Sequence, residues 1–137
     1  MSIEVVCAVI LNEKKQMLIG KRRSKNLAGY WEFPGGKVEK NEEVKQALKR
    51  ELTEEIGAET AIGPMVVPAY TYQYEFGNVR LYFYFAQLKD EMISPKIYEE
   101  YAWLSVSQLA SKKWLPANQK VLDGLSQWDL NKVEFNE

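Results

Sequence analysis

Three glutamates, Glu51, Glu54 and Glu55, stand close together in the stretch RELTEEIG at residues 50–57. In a helix they would share one face, because side chains three and four residues apart are neighbours there. Like charges at this spacing repel each other, and carboxylates in the last turn oppose the helix dipole by ~0.3–1 kcal/mol each. Two interpretations are open: a solvated charged surface, or ligands for a divalent cation such as Mg²⁺ or Mn²⁺.

The loop before this segment favours the cation. Gly35 and Gly36 allow the backbone to approach a ligand closely, and Lys37 adds a positive charge beside them. A glycine-rich loop alone is weak support for a site. A loop of this kind that leads into a helix with clustered carboxylates supplies contacts for phosphate groups and for the cation that neutralises them.

Hydrophobic periodicity predicts the elements that must position these groups. Apolar residues recur at helical spacing from Val44 to Ile56, so we predict an amphipathic helix with Asn41 as its N-cap and Gly57 as its end. The other predicted elements are a central strand at 3–11, a neighbouring strand at 16–22, a hairpin of 65–76 and 79–88 around Gly77-Asn78, a strand at 97–104, a short helix with a capping box at 105–108 and a last helix at 117–128. This mixture predicts an α/β fold, a layered sandwich around a mixed sheet, in one domain of residues 1–137.

The composition excludes several classes of function. The chain has 137 residues and a net charge of −1, so it has no global field for a nucleic acid polymer or an anionic membrane. No apolar run approaches the ~20 residues that cross a bilayer, and the N-terminus lacks a signal peptide's basic start, so we expect a cytoplasmic location. The chain has no histidine and Cys7 is its single cysteine, which excludes histidine-based triads and an intrachain disulfide. Acid–base chemistry therefore falls to carboxylates, lysine, tyrosine or a metal-activated water.

The residues around the predicted helix resemble the Nudix box. The chain reads Gly36, five residues, Glu42, seven residues, Arg50-Glu51-Leu52, one residue, Glu54-Glu55, one residue and Gly57. Within 36–58 only Ala58 departs from the pattern, since a larger aliphatic residue is usual there. WEFPGGKVE at 31–39 and LPANQ at 115–119 resemble the MutT branch of 8-oxo-dGTP diphosphatases, and AGYWEF with GGKVE resembles bacterial CTP pyrophosphohydrolases. The resemblance implies the Nudix α/β/α sandwich, with a central mixed sheet and the box as a loop–helix–loop.

The resemblance also implies a metal-dependent hydrolysis of a nucleoside diphosphate linked to another group. The carbonyl of Gly35 and the side chains of Glu51, Glu54 and Glu55 would hold Mg²⁺, with Mn²⁺ as a substitute. Glu51 would also activate the attacking water, and Glu54 would be a second catalytic glutamate. Divalent cations polarise phosphoryl oxygens, which suits this chemistry.

The same resemblance gives roles to the positive charges near the box. Arg50, together with Glu42, would hold the catalytic glutamates in orientation. Lys37 and Arg23 would contact the phosphates of the substrate, beside the backbone of the two box glycines, Gly35 and Gly36.

Many MutT-like proteins add one acidic ligand from a later strand or loop. Glu99 and Glu100 lie in the corresponding region, ahead of Trp103. We choose Glu100, because strand alternation would place it opposite Tyr101 and Trp103, which we expect to be buried. The alternative is a solvated acidic pair.

The nucleobase site is less sharply defined. Asn118 matches a MutT asparagine that reads an oxidised guanine, and an amide can donate and accept along a purine edge. The alternative is that Asn118 caps the last helix, and the CTP-type relatives usually lack this asparagine. Phe33, beside the glycines, is the predicted stacking residue for the base. The aromatic residues of the predicted hairpin are expected to pack in the core or across strands instead: Tyr72, Tyr74, Tyr82 and Tyr84.

We therefore expect a Mg²⁺-dependent nucleoside triphosphate pyrophosphohydrolase that sanitises the nucleotide pool, with 8-oxo-dGTP as its leading substrate. The nearest alternative is the same reaction on CTP or modified pyrimidine triphosphates, followed by nucleotide sugars or dinucleoside polyphosphates. A non-catalytic nucleotide-binding module is disfavoured, because such proteins typically lose box glutamates and this chain keeps them. The expected partner is a nucleoside triphosphate, without a nucleic acid polymer or a membrane, and the expected state is a monomer or homodimer.

Overall fold

The computed structural model describes residues 3–22, 29–90, 93–94 and 98–135, with the side chain of Glu99 excepted. The strands are β1 (Ile3–Ile10), β2 (Met17–Arg22), β3 (Trp31–Glu32), β4 (Gly35–Lys37), β5 (Thr60–Met65), β6 (Tyr70–Tyr74), β7 (Gly77–Leu88) and β8 (Tyr98–Leu104). The α-helices are α1 (Val44–Ile56) and α2 (Gln119–Leu125). Short 3-10 helices cover Val106–Ser111, Pro116–Asn118 and Leu130–Lys132.

The central sheet is mixed, which confirms the predicted fold class. Its strand order is β4, β1, β7, β5, and β6 also pairs with β7. β1 runs parallel to β7, from Ile3 opposite Val79 to Ile10 opposite Ala86. The other pairs are antiparallel. β1 reads as a continuous apolar run because it lies inside the sheet with both faces covered.

A second, antiparallel sheet has the order β3, β2, β8. The prediction that 16–22 neighbours the first strand is only partly right, because the described residues of β2 form no ladder with β1. An isolated bridge joins Met17 to Leu11, the residue just after β1. Along its length β2 pairs with β8 instead, from Met17 opposite Leu104 to Arg22 opposite Tyr98. The physical reason is that both edges of β1 are already occupied by β4 and β7.

Alternate residues of β1 contribute to two cores on opposite faces of the central sheet. Val6, Ala8 and Ile10 pack against the apolar stripe of α1, which consists of Ala47, Leu48, Leu52 and Ile56. Cys7, Val9 and Leu11 belong to the other core, with Phe83, Phe85, Val121 and Leu125. The sheet therefore lies between α1 on one face and α2 on the other.

The ends of α1 fulfil the prediction only in part. Asn41 is not the N-cap: its φ of 68° is left-handed, and it lies in the loop before the helix. Glu43 takes the cap position, and its backbone N–H donates to Oε1 of Gln46 at 3.2 Å. Gly57 ends the helix as predicted, with a φ of 67° and its N–H donating to the carbonyl of Thr53.

The later elements follow the predicted order, except that β5 was not predicted and the predicted strand 65–76 is shorter, because only Tyr70–Tyr74 pairs with β7. The hairpin turn lies at residues 75–76, two residues before the predicted Gly77-Asn78, because Tyr74 pairs with Gly77. The capping box after β8 is present, since the N–H of Ser105 donates to Oε1 of Gln108 at 2.9 Å. The last helix is shorter than predicted and begins at Gln119. None of the helices in the described ranges is long and apolar enough to cross a membrane.

Candidate active site

The pairing of β4 with β1 places the two box glycines against α1. A Cβ on Gly36 would lie 2.3 Å from Cδ of Glu51, so only glycine allows this close approach. The N–H of Gly35 donates to Oε2 of Glu55 at 3.2 Å. The structure therefore brings the predicted glycine loop and two of the three predicted glutamates together.

Arg50 connects the loop before the helix to the glutamates on it. Its Nε and Nη2 donate to the two carboxylate oxygens of Glu42, at 2.7 and 3.0 Å. Nη1 donates to Glu51 at 3.0 Å and to Glu54 at 3.3 Å, and Nη2 donates to the carbonyl of Lys37 at 3.0 Å. A planar guanidinium can hold all of these acceptors at once, which a lysine ammonium cannot do in this geometry.

Glu42 is the acidic anchor of this network. Its hydrogen bond from Arg50, and a second from the N–H of Glu39, lower its pKa to about 2. The same hydrogen bond raises the pKa of Arg50 above its ordinary value. Glu42 therefore stays charged and fixes one side of the guanidinium.

Glu55 has the opposite electrostatic character. Burial and the neighbouring charge of Glu51 raise its pKa to about 8, although the N–H of Gly35 opposes the shift. Glu51 is also hydrogen-bonded to it. Two carboxyl groups are thus crowded beside the glycine loop, where a positive charge would favour the ionised form of both.

The carboxylates are engaged with protein groups in this conformation. Across the described ranges, no three histidine, cysteine, aspartate or glutamate side chains are grouped so that they could hold a metal ion. Glu51 and Glu54 both turn to Arg50, while Glu55 turns to the N–H of Gly35. Glu51 is 15% exposed and Glu54 is 60% exposed, so the two differ in their access to solvent. Their roles as metal ligands stay predictions.

A cavity of about 310 Å³ lies on the face of the sheet opposite α1. Lys37 lines it, and the carbonyl of this residue accepts from Arg50, so the cavity adjoins the glutamate network. The other lining residues come from distant parts of the chain: Ile3, Val5, Cys7, Arg22, Glu32, Phe33, Tyr74, Phe76, Val79, Leu81, Leu115, Ala117 and Asn118.

Phe33 and Asn118 both lie in this cavity. Phe33 is only 2% exposed and stacks on Trp114, with ring centroids 5.0 Å apart, so one of its faces is already covered. Asn118 is 5% exposed, and its Oδ1 has no hydrogen-bond partner among the described residues. The side chain makes no cap hydrogen bond to α2, which is contrary to the capping alternative. A buried amide oxygen without a partner is costly, which makes Asn118 a candidate for contact with a ligand.

Arg22, Glu32 and Phe76 also line the cavity, and none of them was assigned to a site from the sequence. Nη1 of Arg22 donates to Glu32 at 2.8 Å, and burial raises the pKa of Glu32 while Arg22 opposes the shift. Phe76, at the hairpin turn, is 72% exposed and stacks on Tyr74 with ring centroids 5.0 Å apart. In the sequence, one signal could have identified Glu32: it is a charged residue between two aromatic residues, Trp31 and Phe33.

The remaining predicted residues are distributed more widely. Glu100 accepts from Lys21 at 3.4 Å and is 58% exposed, and its role as an extra ligand stays a prediction. Tyr101 was expected to be buried, but it is 46% exposed, because β8 lies at the edge of its sheet. Arg23 lies outside the described residues, as does the side chain of Glu99.

The tyrosines of the hairpin pack against their neighbours, as expected. The rings of Tyr72 and Tyr74 are in contact, with centroids 4.8 Å apart, and both pack on the core that contains α2. Tyr82 and Tyr84 pack on the α1 side. Tyr74 additionally lines the cavity, together with Phe33 and Asn118 of the predicted base site.

The NUDIX domain family model matches residues 1–125. The chain therefore belongs to the NUDIX domain family and is a Nudix hydrolase. Hydrolases of this family generally use divalent metal ions.

Relatives within the family narrow this class to MutT-like proteins. An 8-oxo-dGTP diphosphatase of Haemophilus influenzae is 33% identical over 127 residues, which cover 90% of each chain. A CTP pyrophosphohydrolase of Escherichia coli is 48% identical over 64 residues, so that match spans only 47% of each chain. The solved structure of the DNA mismatch repair protein MutT from methicillin-resistant Staphylococcus aureus superposes with a TM-score of 0.75 at 35% identity, covering 93% of this chain and 98% of that one.

Proposed function

We propose that the chain is a Mg²⁺-dependent nucleoside triphosphate pyrophosphohydrolase with 8-oxo-dGTP as its leading substrate. It would convert the triphosphate and water to the monophosphate and diphosphate. One observation carries the proposal: the crowded carboxylates of Glu51 and Glu55, fixed by Arg50 and the glycine loop, adjoin a cavity with the unpartnered amide oxygen of Asn118. The carboxylates suit a cation and the phosphates, and the cavity beside Asn118 suits a flat polar base. We further propose a single domain that acts on free nucleotides in the cytoplasm.

The donor set fits a hard divalent cation, because it consists of carboxylate and carbonyl oxygens. The proximity of Glu51 and Glu55, which contributes to the raised pKa of Glu55, also favours a bound positive charge. We assign the side chains of Glu51, Glu54 and Glu55 and the carbonyl of Gly35 as ligands, with Glu100 as the additional one. The bound cation would neutralise phosphate charge and polarise the phosphoryl oxygens.

The residues of the chain itself have distinct tasks in this proposal. Glu51 accepts a proton from the attacking water as general base. Arg50 restrains Glu51 and Glu54 from one side, and Glu42 restrains Arg50 in turn. The ammonium of Lys37, in the loop that lines the cavity, attracts the phosphates and orients them towards Glu51.

Two observations support 8-oxo-dGTP as the substrate. The amide of Asn118 can accept from a ring or exocyclic N–H and donate to a carbonyl, and an oxidised guanine offers both kinds of group. The relative from Haemophilus influenzae, which aligns over 90% of the chain, is named for this substrate.

CTP is the second candidate substrate. The 64-residue match to the CTP pyrophosphohydrolase has the higher identity, 48%. Its limited length leaves more than half of the chain unmatched. This candidate keeps the phosphate chemistry unchanged and alters only the occupant of the cavity.

A substrate panel tests both candidates. Diphosphate release would be measured with and without Mg²⁺ on 8-oxo-dGTP, dGTP, dCTP and CTP at equal concentrations. We expect the highest kcat/KM for 8-oxo-dGTP and no release without a divalent cation. A preference for CTP or dCTP would transfer the assignment to the second candidate. Absence of diphosphate release from every nucleotide would overturn the proposed function.

A further inference from the structure

The segment that carries Asn118 is hydrogen-bonded to β3. The N–H of Trp31 donates to the carbonyl of Lys113 at 2.7 Å, and the N–H of Leu115 donates to the carbonyl of Trp31 at 3.2 Å. The N–H of Asn118 then donates to the carbonyl of Leu115 at 2.9 Å. These bonds fix the backbone on the N–H side of the peptide that joins Ala117 to Asn118.

Tyr70 holds the other side of the same peptide. Its hydroxyl donates to the carbonyl oxygen of Ala117. Tyr70 is buried, and burial raises the pKa of its hydroxyl above the ordinary value, so the group remains a donor. Its ring is nearly parallel to that of Phe83, at 6.1 Å between centroids, and the ammonium of Lys120 lies 5.1 Å from its centroid. The direction of the hydroxyl is therefore set by packing.

The two bonds together immobilise one rigid unit. The carbonyl of Ala117 and the N–H of Asn118 belong to a single planar peptide group, so a restraint at each end fixes its orientation. The backbone of Asn118 is held in this way, while its side-chain Oδ1 is buried without a hydrogen-bond partner within the described ranges, and the residue lines the cavity. The arrangement restrains the backbone that carries the amide, while the amide oxygen itself has no hydrogen-bond partner among the described residues.

We infer that Tyr70 is a positioning residue for nucleobase recognition, acting through the carbonyl of Ala117 to aim the side-chain amide of Asn118 into the cavity. The inference rests on the proposed function, because it assumes that Asn118 contacts the base. Tyr70 itself does not contact the substrate, and its effect is confined to substrates that use this amide. Removal of its hydroxyl should therefore change base preference rather than the hydrolytic step.

The kinetic test uses Tyr70→Phe, which removes the hydroxyl and keeps the ring on Phe83. Without that hydrogen bond we expect kcat/KM for 8-oxo-dGTP to fall about fivefold to tenfold, mainly through KM, with little change for dCTP. In an Asn118→Ala background the same substitution should have no further effect on base preference. An equal loss for all nucleotides, or the same loss in that background, would overturn the inference.

Tyr82→Phe is the matched control. Tyr82 lies on β7, which pairs with β6, and its hydroxyl donates to Glu4 at 2.6 Å. Neither Tyr82 nor Glu4 lines the cavity. We expect Tyr82→Phe to leave the ratio of kcat/KM between 8-oxo-dGTP and dCTP unchanged. A change as large as that of Tyr70→Phe would show that the effect is not specific to Ala117 and Asn118, and so would contradict the inference.

A second readout needs no hydrolysis and separates the inference from the proposed function. The side-chain amide signals of Asn118 would be followed by ¹H–¹⁵N NMR in the ligand-free protein and assigned with Asn118→Ala. Tyr70→Phe should shift or broaden them, and Tyr82→Phe should not. Unchanged signals in Tyr70→Phe would overturn the inference even if 8-oxo-dGTP is hydrolysed. If no nucleotide is hydrolysed and the signals still shift, the proposed function fails while the positioning by Tyr70 stands.

Discussion

The glutamate network and the cavity differ in how far apart their residues lie along the chain. The network is formed by residues 35–55, a loop and the helix that follows it. The cavity instead collects Cys7, Arg22, Tyr74 and Asn118 from three separate strands and a 3-10 helix. In the proposed function, a short segment determines the phosphate chemistry, whereas the identity of the base depends on the whole fold. Changes in the network should affect all nucleotides alike, and changes in the cavity should affect them unequally.

The largest expected effect belongs to Glu51→Gln. The amide keeps the shape of the side chain but can neither accept a proton as general base nor offer the same charge to a cation. We expect kcat to fall by about 100-fold to 10,000-fold for every nucleotide that is hydrolysed. Steady-state kinetics on the four-nucleotide panel would check this. Glu59→Gln, an exposed carboxylate beyond the end of α1, is the control and should retain activity. Full turnover in Glu51→Gln would remove it from the catalytic role.

Asn118→Ala tests the role of the cavity. Loss of the amide should reduce the preference for 8-oxo-dGTP over dCTP by about tenfold, through the loss of one or two hydrogen bonds to the base. The kcat for dCTP should remain close to the wild-type value, because the glutamate network is untouched. Competition between the two nucleotides in one reaction measures the ratio directly. If activity on both substrates falls in parallel, the cavity and the network do not act separately.

Metal addition gives a smaller effect that is confined to the network. Mg²⁺ should raise the melting temperature of the wild type by roughly 5 °C when it is present well above its dissociation constant. Glu55→Gln should reduce the increase, because it removes a proposed ligand and the crowding with Glu51. Thermal unfolding in Mg²⁺ and in EDTA provides the measurement, with Asn118→Ala as a control that keeps the full increase. The same increase in Glu55→Gln would count against this ligand assignment.

The smallest effect is a pH dependence of the Glu42–Arg50 pair. The pKa of Glu42 is about 2 in the folded protein, against an unfolded value of about 4.3. Its stabilising contribution is therefore complete above the unfolded value and is lost as the pH falls towards 2. Urea unfolding of the wild type and Glu42→Gln between pH 7 and pH 3 should give a stability difference that decreases at the acidic end. In an Arg50→Gln background that pH-dependent difference should disappear, and its persistence would assign the effect to another partner.

Local patterns allowed much of the fold and the network to be predicted. The stripe of α1 and the terminal Gly57 follow from spacing within one helix, and the mixed sheet follows from the arrangement of strands and helices. Asn41 was mistaken for the cap because its type fits that position, whereas the loop gives it a left-handed backbone instead. Cap propensity alone does not reveal where a preceding loop turns.

The cavity was predictable only where a single residue carried a signal. Phe33 and Asn118 were identified, but the pairing of Arg22 with Glu32 depends on β2 meeting β3, and the position of Phe76 depends on the hairpin turn. The prediction that Tyr101 is buried was wrong for a related reason. Alternation predicts two faces, but it does not show that β8 is an edge strand with solvent near both. Contacts between elements far apart in the chain need the tertiary structure.

β1 separates the two regions while supporting both of them. Its side chains alternate, so Val6 and Ala8 support α1 while Val5 and Cys7 line the cavity. Deletion of one residue within β1 would exchange these two sets, because a shift by one position turns every later side chain to the opposite face. The strand therefore tolerates conservative substitution far better than any change in its length. Variation in substrate preference should accordingly arise by replacing cavity residues, with the register of β1 kept unchanged.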